Sequence, residues 1–267
     1  MILDSLKLDG KIALITGAGR GLGRAMAMTF AEAGADIVAA SRTQVQLERT
    51  AAEVKQTGRK CLIFPADVTN SEQVNAMAAA AVKEFGRIDI LVNNAGGGDD
   101  SAAKPIEQIS DAEWRRGIDT NLSSQFFACR AVLPQMVKQH RGKIINLSSG
   151  YGLRGGKHNY MYVCAEGGVI QLTRTLALTY APHNIQANCI VPGIFPHGGE
   201  NEQMMKFFKG GKFIPVGRLG EDAELGPLAI FLASDASNHI TGEFIAIDGG
   251  GLAGGISPTG VVPPSSH

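Results

Sequence analysis

The sequence predicts an α/β protein, a single domain on a doubly wound parallel sheet of about seven strands with helices on both faces. Three observations predict it. An apolar run over residues 11–16 breaks into the turn Gly17-Ala18-Gly19-Arg20-Gly21-Leu22-Gly23 and then into a helix-favouring stretch. Short apolar runs then alternate with helical ones as far as residue 247, the order that lays strands parallel beneath covering helices. The chain has 267 residues, 44% of them hydrophobic, enough to bury a large core within one domain.

Taken in order, the first strand ends at the glycine turn and a helix over 24–33 stops at Gly34. Residues 35–40 form a second buried strand, 45–56 a helix ending near Gly58, and 60–64 a third strand running into Pro65-Ala66-Asp67-Val68. Ser71 is the expected cap of an alanine-rich helix that continues through Glu84 and ends at Gly86. A fourth strand, 88–92, leads into Asn93-Asn94-Ala95-Gly96. After a polar loop comes a long helical region over about 110–140, expected to be interrupted or bent near Pro134. Strands over 143–147 and 185–191 flank a helix over 159–180. The pattern is lost from 192 to 220, and a helix over 221–234 and a strand over 243–247 complete the series.

Lys plus Arg (25) balances Asp plus Glu (25), so no overall field draws in nucleic acid or anionic lipid. Cys61, Cys129, Cys164 and Cys189 are far apart, without Cys-x2-Cys spacing or a neighbouring histidine cluster. A reduced, cytoplasmic protein with no metal site is expected from them. No stretch reaches the roughly 20 apolar residues of a membrane span, and the Gly/Pro/Ser-rich tail over 251–267 is expected to be loosely ordered or to lie on a neighbouring subunit.

Gly17, Gly21 and Gly23 let a strand turn sharply into a helix and expose bare N–H groups at its positive end, a seat for a pyrophosphate. The ordered set Thr16-Gly17-x3-Gly21-x-Gly23, Asp67, Asn93-Asn94-Ala95-Gly96, Asn121, Ser149, Tyr162, Pro192-Gly193 and Asp248-Gly249-Gly250 resembles the short-chain dehydrogenase/reductase family over about residues 7–250. That resemblance implies a Rossmann fold, a nicotinamide dinucleotide, and hydride exchange between a ketone and an alcohol of small-molecule size. It also implies a dimer or tetramer built on the long helices after the fourth and fifth strands. Asp235-Ala236-Ser237-Asn238 and the stretch after Asp248 further resemble gluconate-type members.

Within that reading the cofactor would meet Gly17, Arg20, Gly21, Leu22 and Gly23 at the turn, Asp67 and Val68 at the adenine, Asn93, Ala95 and Gly96 along one wall, and Tyr162, Pro192, Gly193 and Ile194 near the nicotinamide. The second strand ends in Ser41-Arg42, where a carboxylate would select NAD(H). Two guanidinium groups, Arg20 and Arg42, with a hydroxyl suit a 2′-phosphate instead, so NADP(H) is expected over NAD(H).

The resemblance also assigns the chemistry. Ser149 would hold the carbonyl oxygen, Tyr162 would give or take its proton, and Asn121 would order water. Ser148 is expected to point to the other side of its strand, while Tyr151 and Tyr160 lie at other spacings. Where the family has a lysine, four residues after the tyrosine, this chain has Glu166. A lysine would lower the tyrosine pKa; a carboxylate one helical turn away opposes the phenolate. Ketone reduction by a neutral phenol is thereby left intact and alcohol oxidation disfavoured. Two alternatives remain open on the sequence: a cofactor-binding pseudo-dehydrogenase serving as sensor or subunit partner, and a non-redox acid/base activity of Glu166. An apolar substrate lid is expected over about 193–220, with Phe195, Met204, Met205, Phe207, Phe208 and Phe213, and Gly98-Asp99-Asp100 on the other lip.

Overall fold

A computed structural model describes residues 1–97, 104–196 and 214–253. Its strands are β1 (Ile12–Thr16), β2 (Asp36–Ser41), β3 (Cys61–Pro65), β4 (Ile90–Asn93), β5 (Gly142–Leu147), β6 (Ile185–Pro192) and β7 (Phe244–Ile247). They pair in the order β3-β2-β1-β4-β5-β6-β7, every pair parallel, as the sequence predicts. The helices are α1 (Gly21–Glu32), α2 (Gln44–Gln56), α3 (Ser71–Phe85), α4 (Asp111–Ile118), α5 (Ser124–Gln139), α6 (Tyr160–Tyr180) and α7 (Asp222–Ala233).

Period-two alternation along the strands divides the core between two faces. Ala13, Ile15, Ile37, Ala39, Ile90, Val92 and Ile145 pack against Met26 and Phe30 of α1, Leu47 of α2 and Leu225 and Ala229 of α7. The intervening Leu14, Val38, Leu91 and Ile144 pack on the other side with Val74 and Met77 of α3, Val132 and Met136 of α5 and Leu176 of α6. β1 therefore reads as a continuous apolar run because all five of its residues are buried.

The chain reverses its direction of winding between β1 and β4, and a single hydroxyl joins the two strand ends there. Thr16 Oγ1 accepts from the backbone N–H groups of Asn94 and Ala95 at 3.0 and 3.1 Å. Asn94 Nδ2 returns the contact, donating to the carbonyls of Thr16 at 3.0 Å and Gly17 at 3.3 Å. In open α/β sheets such a reversal opens a crevice at the carboxyl ends of the strands.

Two expectations are corrected. The cap of α3 is Asn70, whose side chain accepts from the N–H groups of Glu72 and Gln73, so Ser71 is the first helical residue. Pro134 does not interrupt the long helical region, since α5 continues through it; the break in regular α-helix is instead a π turn at Asp119–Ser123. Asn121 lies in that turn and donates from Nδ2 to the Gly117 carbonyl at 3.0 Å. A π turn inserts one residue per turn and re-aims side chains, a device common at functional sites.

Among the expected lid residues, Phe195 belongs to the core: it is buried with the α1–α7 cluster, and a Cβ on Gly220 would fall 2.5 Å from its ring. Its apolar surface thus packs within the core beside the end of β6. Met204, Met205, Phe207, Phe208 and Phe213 lie outside the described residues, as do Gly98-Asp99-Asp100 and residues 254–267 of the tail. No helix among the described residues is long and apolar enough to cross a membrane.

Replacing Asn70 by Ala is expected to cost about 1 kcal/mol, because two amide donors at the start of α3 lose their acceptor. Urea unfolding should register that loss, while Ser71→Ala should stay within about 0.5 kcal/mol.

Candidate active site

The glycine turn is shaped by close approach. A Cβ on Gly23 would lie 2.3 Å from the Gly17 carbonyl oxygen and 2.4 Å from Asn94 Nδ2, so only glycine lets α1 begin against the end of β1. Gly17 (φ 69°) and Gly21 (φ 54°) occupy the left-handed region that glycine favours. Arg20 precedes α1 in extended conformation and offers no side-chain cap. The first N–H groups of α1 are thus left without a side-chain acceptor, the arrangement that receives an anion. The Leu22 side chain is buried in the core, which leaves its backbone for any ligand.

At the end of β2 the Ser41 hydroxyl is buried and has no hydrogen-bond partner. A Cβ on Gly19 would fall 2.8 Å from it, so the turn and the strand end meet there. Arg20 and Arg42 are exposed. Bonds from the Thr69 N–H and hydroxyl hold the Asp67 carboxyl below the ordinary range, with a smaller contribution from the Arg42 charge. Val68 packs its side chain against the core. An orphaned hydroxyl at the strand end that Arg42 follows, and a cradle with no room for side chains, fit a dinucleotide carrying phosphate groups.

Along the other wall, the Asn93 side chain is buried and donates to Asn146 Oδ1 at 2.9 Å and to Cys129 Sγ at 3.3 Å. That wall is therefore formed from the backbone of Asn93 together with Ala95 and Gly96. The Asn121 side chain joins it, accepting from the Gly97 N–H at 2.8 Å. A Cβ on Gly96 would come 2.9 Å from Asn121 Oδ1. Asn121 is thus committed to Gly97 and Gly117 rather than to Tyr162 or Glu166. At β6 a Cβ on Gly193 would fall 2.7 Å from Asp248 Cα, and the Ile194 carbonyl accepts from Gly220. Beyond them a cavity of about 240 Å³ lies between Phe195, Ile214 and Ile247, roofed by the Arg218–Glu224 ion pair.

Ser149, Tyr162 and Glu166 meet at the end of β5. Strand alternation stops at Leu147, and the chain enters a 3₁₀ turn at Gly150–Gly152 that Ser149 caps by accepting from the Tyr151 N–H at 3.3 Å. Both serines consequently face α6, which corrects the expectation for Ser148. Ser148 is buried and its Oγ donates to the Glu166 carbonyl at 2.9 Å. Gly152 makes this packing feasible, since a Cβ there would lie 2.7 Å from Ser148 Oγ and 2.8 Å from the Glu166 carbonyl oxygen. The Tyr151 ring meets the Tyr162 ring edge to face at a centroid distance of 6.1 Å.

Electrostatics set the chemical states of the pair. The Tyr162 phenol is held well above its usual pKa, first by burial and then by the Glu166 charge, and a hydrogen bond with Ser149 offsets part of the rise. The Glu166 side chain is only 5% exposed and its Oε2 has no partner. Burial pushes its pKa up to about 8, against smaller opposing contributions from hydrogen bonds with Ser148 and Tyr162. At neutral pH Glu166 is therefore mainly a neutral acid and Tyr162 a neutral phenol.

Asn94, which clamps the glycine turn, and Tyr151, which packs on Tyr162, were not among the expected site residues. The motif contains both neighbouring asparagines, but nothing in their order distinguishes the one that binds Gly17 from the one that turns inward. Among the described residues no group of three or more His, Cys, Asp or Glu side chains could hold a metal.

Comparison with known proteins agrees with this geometry. A family model described as short chain dehydrogenase matches residues 11–203. The chain is 39% identical to the 2-dehydro-3-deoxy-D-gluconate 5-dehydrogenase of Dickeya dadantii (strain 3937), covering 95% of this chain and 100% of that relative. It is 34% identical to a 3-oxoacyl-[acyl-carrier-protein] reductase of Thermotoga maritima, covering 92% and 99%. Among solved structures it is similar to a 7α-hydroxysteroid dehydrogenase complexed with NADH and 7-oxo glycochenodeoxycholic acid, with a TM-score of 0.87 at 31% identity over 93% of this chain and 97% of that one.

Because the folded-state pKa of Glu166 lies above the ordinary 4.5, the folded protein keeps a proton that the unfolded chain releases between those values. Stability therefore falls as pH rises from about 4.5 to about 8. Glu166→Gln should be more stable than the wild type by a few kcal/mol at about pH 9 and show little gain at about pH 5 in urea unfolding of the cofactor-free protein. The same difference at both pH values would contradict this ionisation.

Proposed function

The chain belongs to the short-chain dehydrogenase family, and from that membership we propose that it is an NADP(H)-dependent carbonyl reductase, with Ser149 and Tyr162 handling the substrate oxygen. The observation that carries this reading is the meeting of Ser149, Tyr162 and Glu166 at one strand end, with the carboxyl buried beside the phenol. The family makes it a nicotinamide-dependent oxidoreductase acting on alcohol or carbonyl groups. NADP(H), the reducing direction and the role of Glu166 belong to the proposal.

Gly17, Gly21 and Gly23 would hold the cofactor's pyrophosphate through bare N–H groups at the start of α1. Ser41, Arg42 and Arg20 would hold a 2′-phosphate, and the buried Ser41 hydroxyl would gain the partner it lacks. The cofactor, when bound, supplies the hydride. Ser149 donates to the carbonyl oxygen and so holds it, and Tyr162 gives that oxygen a proton. The phenolate left behind is buried, where an unpaired anion is costly. A neutral Glu166 can meet that cost by donating a hydrogen bond or a proton to it; an ionised Glu166 cannot.

The same arrangement works poorly in reverse. Alcohol oxidation needs Tyr162 as a base; burial opposes its ionisation, and the Glu166 charge adds to that opposition once the pH rises through about 8. A second reading, a cofactor-binding protein without dehydrogenase turnover, draws support from that same rise. Tight NADPH binding with no reduction of any ketone would favour it. The substrate carbonyl is proposed to belong to a ketone of acyl or sugar-acid type, the two classes named for the Thermotoga and Dickeya relatives.

Calorimetry should find NADPH bound at least about tenfold more tightly than NADH, with Arg42→Ala narrowing the gap. A preference for NADH would refute the 2′-phosphate assignment. In the wild type, ketone reduction should slow as pH rises through about 8, because ionised Glu166 opposes the phenolate that follows proton transfer. Glu166→Lys should raise alcohol oxidation at neutral pH by about tenfold or more, the effect of one pKa unit on Tyr162.

A further inference from the structure

The segment between the two proposed catalytic hydroxyls carries a feature that the reductase reading does not use. Over residues 150–159 it contains Arg154, Lys157 and His158 and not one carboxylate. It is held close to Tyr162. Ser149 caps its first turn, and Tyr151 packs its ring edge to face on Tyr162 at 6.1 Å. The return of the chain is equally tight, since a Cβ on Gly156 would fall 2.8 Å from the Tyr151 ring and 3.1 Å from Val163 of α6.

Arg154 completes the stack. Its guanidinium carbon sits 5.3 Å from the Tyr151 ring centroid, and the residue is exposed. Among the described residues it forms no ion pair with a carboxylate. A guanidinium resting on an aromatic face is pre-organised: one plane is used by the ring, while the N–H fork along its edge remains available for a carboxylate. From Tyr162 to Tyr151 to Arg154 the order is thus proton donor, aromatic spacer, cation, within the length of one small molecule.

We propose that Arg154, supported on Tyr151, is a specificity-determining residue that binds an anionic group of the substrate. The ketone reduced at Tyr162 then carries a carboxylate several carbons from its carbonyl. This rests on the reductase reading for the carbonyl end, while the anion site stands on the Arg154–Tyr151–Tyr162 geometry. A substrate carboxylate would bind in bidentate fashion, and the neutral Glu166 carboxyl adds no opposing charge at neutral pH.

The test compares 5-oxohexanoate with its methyl ester, which share a ketone and a carbon skeleton and differ by one charge. With the wild-type protein saturated in NADP⁺, which cannot reduce a ketone, calorimetry should show the acid bound at least about tenfold more tightly than the ester, and in turnover with NADPH kcat/KM should favour the acid by a similar factor. Arg154→Gln should bring both ratios to about one, and Arg154→Lys should restore part of each, since it keeps the charge and loses the fork. Equal binding of acid and ester by the wild type, or an acid preference that survives Arg154→Gln, would overturn the proposal. The two readings fail separately: an Arg154-dependent preference in binding with no turnover of either ketone would remove the reductase and leave the anion site. Turnover of both ketones without preference would do the reverse.

Discussion

The close approach of bare backbone at the end of β1 is the constraint on which the remaining architecture depends. Gly23 can lie against the Gly17 carbonyl because neither carries a side chain, and Asn94 fills the space left between β1 and β4. Thr16 adds a hydroxyl that accepts from two consecutive amides of the β4 loop. These bonds are short in space and long in sequence. They join residues 16–17 to residues 94–95, so they form only once the two halves of the sheet have come together. The same contacts set the start of α1, which has no side-chain cap, at the reversal of winding. Fold closure and the proposed seat for an anion therefore share one arrangement.

At the opposite wall the governing quantity is the solvation of one carboxyl. Glu166 is buried on the inner face of α6, where an ionised carboxylate would lack water and a counter-ion. The structure resolves the difficulty by neutralising it, at some expense in stability once the pH approaches 8. Residues under such strain persist where their chemistry is useful. A lysine at this place would stabilise a phenolate at all times. A carboxylic acid stabilises it only while protonated, which ties the proposed proton chemistry to pH in a way that a permanent cation would not.

Much of the fold was legible in the sequence because parallel strands buried on both faces give continuous apolar runs, as in residues 12–15 and 37–40, punctuated by Gly34, Gly58 and Gly86. Local competition was harder to read. Asn70 and Ser71 are both good caps, and only the coordinates show which side chain turns back to the helix. Pro134 and the π turn at Asp119–Ser123 present the same ambiguity, since a π turn carries no compositional mark, whereas proline marks a break that α5 does not make. Ser148 was placed by strand alternation, a rule that ends where the strand does; β5 stops one residue before it. In the candidate site, the glycines, Ser149 and Tyr162 could be named in advance from the family resemblance. The orphaned Ser41 hydroxyl and the contact of Tyr151 with Tyr162 depend on burial and packing, which a linear pattern does not contain.

Tyr151 also joins the proposed proton donor to the proposed anion site. Ser149 caps the turn that carries Tyr151, Tyr151 packs on Tyr162, and Gly152 brings that turn against the Glu166 carbonyl. The hydroxyl that would hold the carbonyl, the phenol that would protonate it and the ring that supports Arg154 therefore share one rigid support. A side chain added at Gly152 would displace Ser148 and the Glu166 backbone together, because both lie within about 3 Å of the missing Cβ. Loops that carry function are usually separable from the scaffold beneath them. This one is not: its glycines seat it directly on α6, so a change in how the loop meets a substrate is transmitted to the Tyr162–Glu166 pair through contacts too close to absorb it.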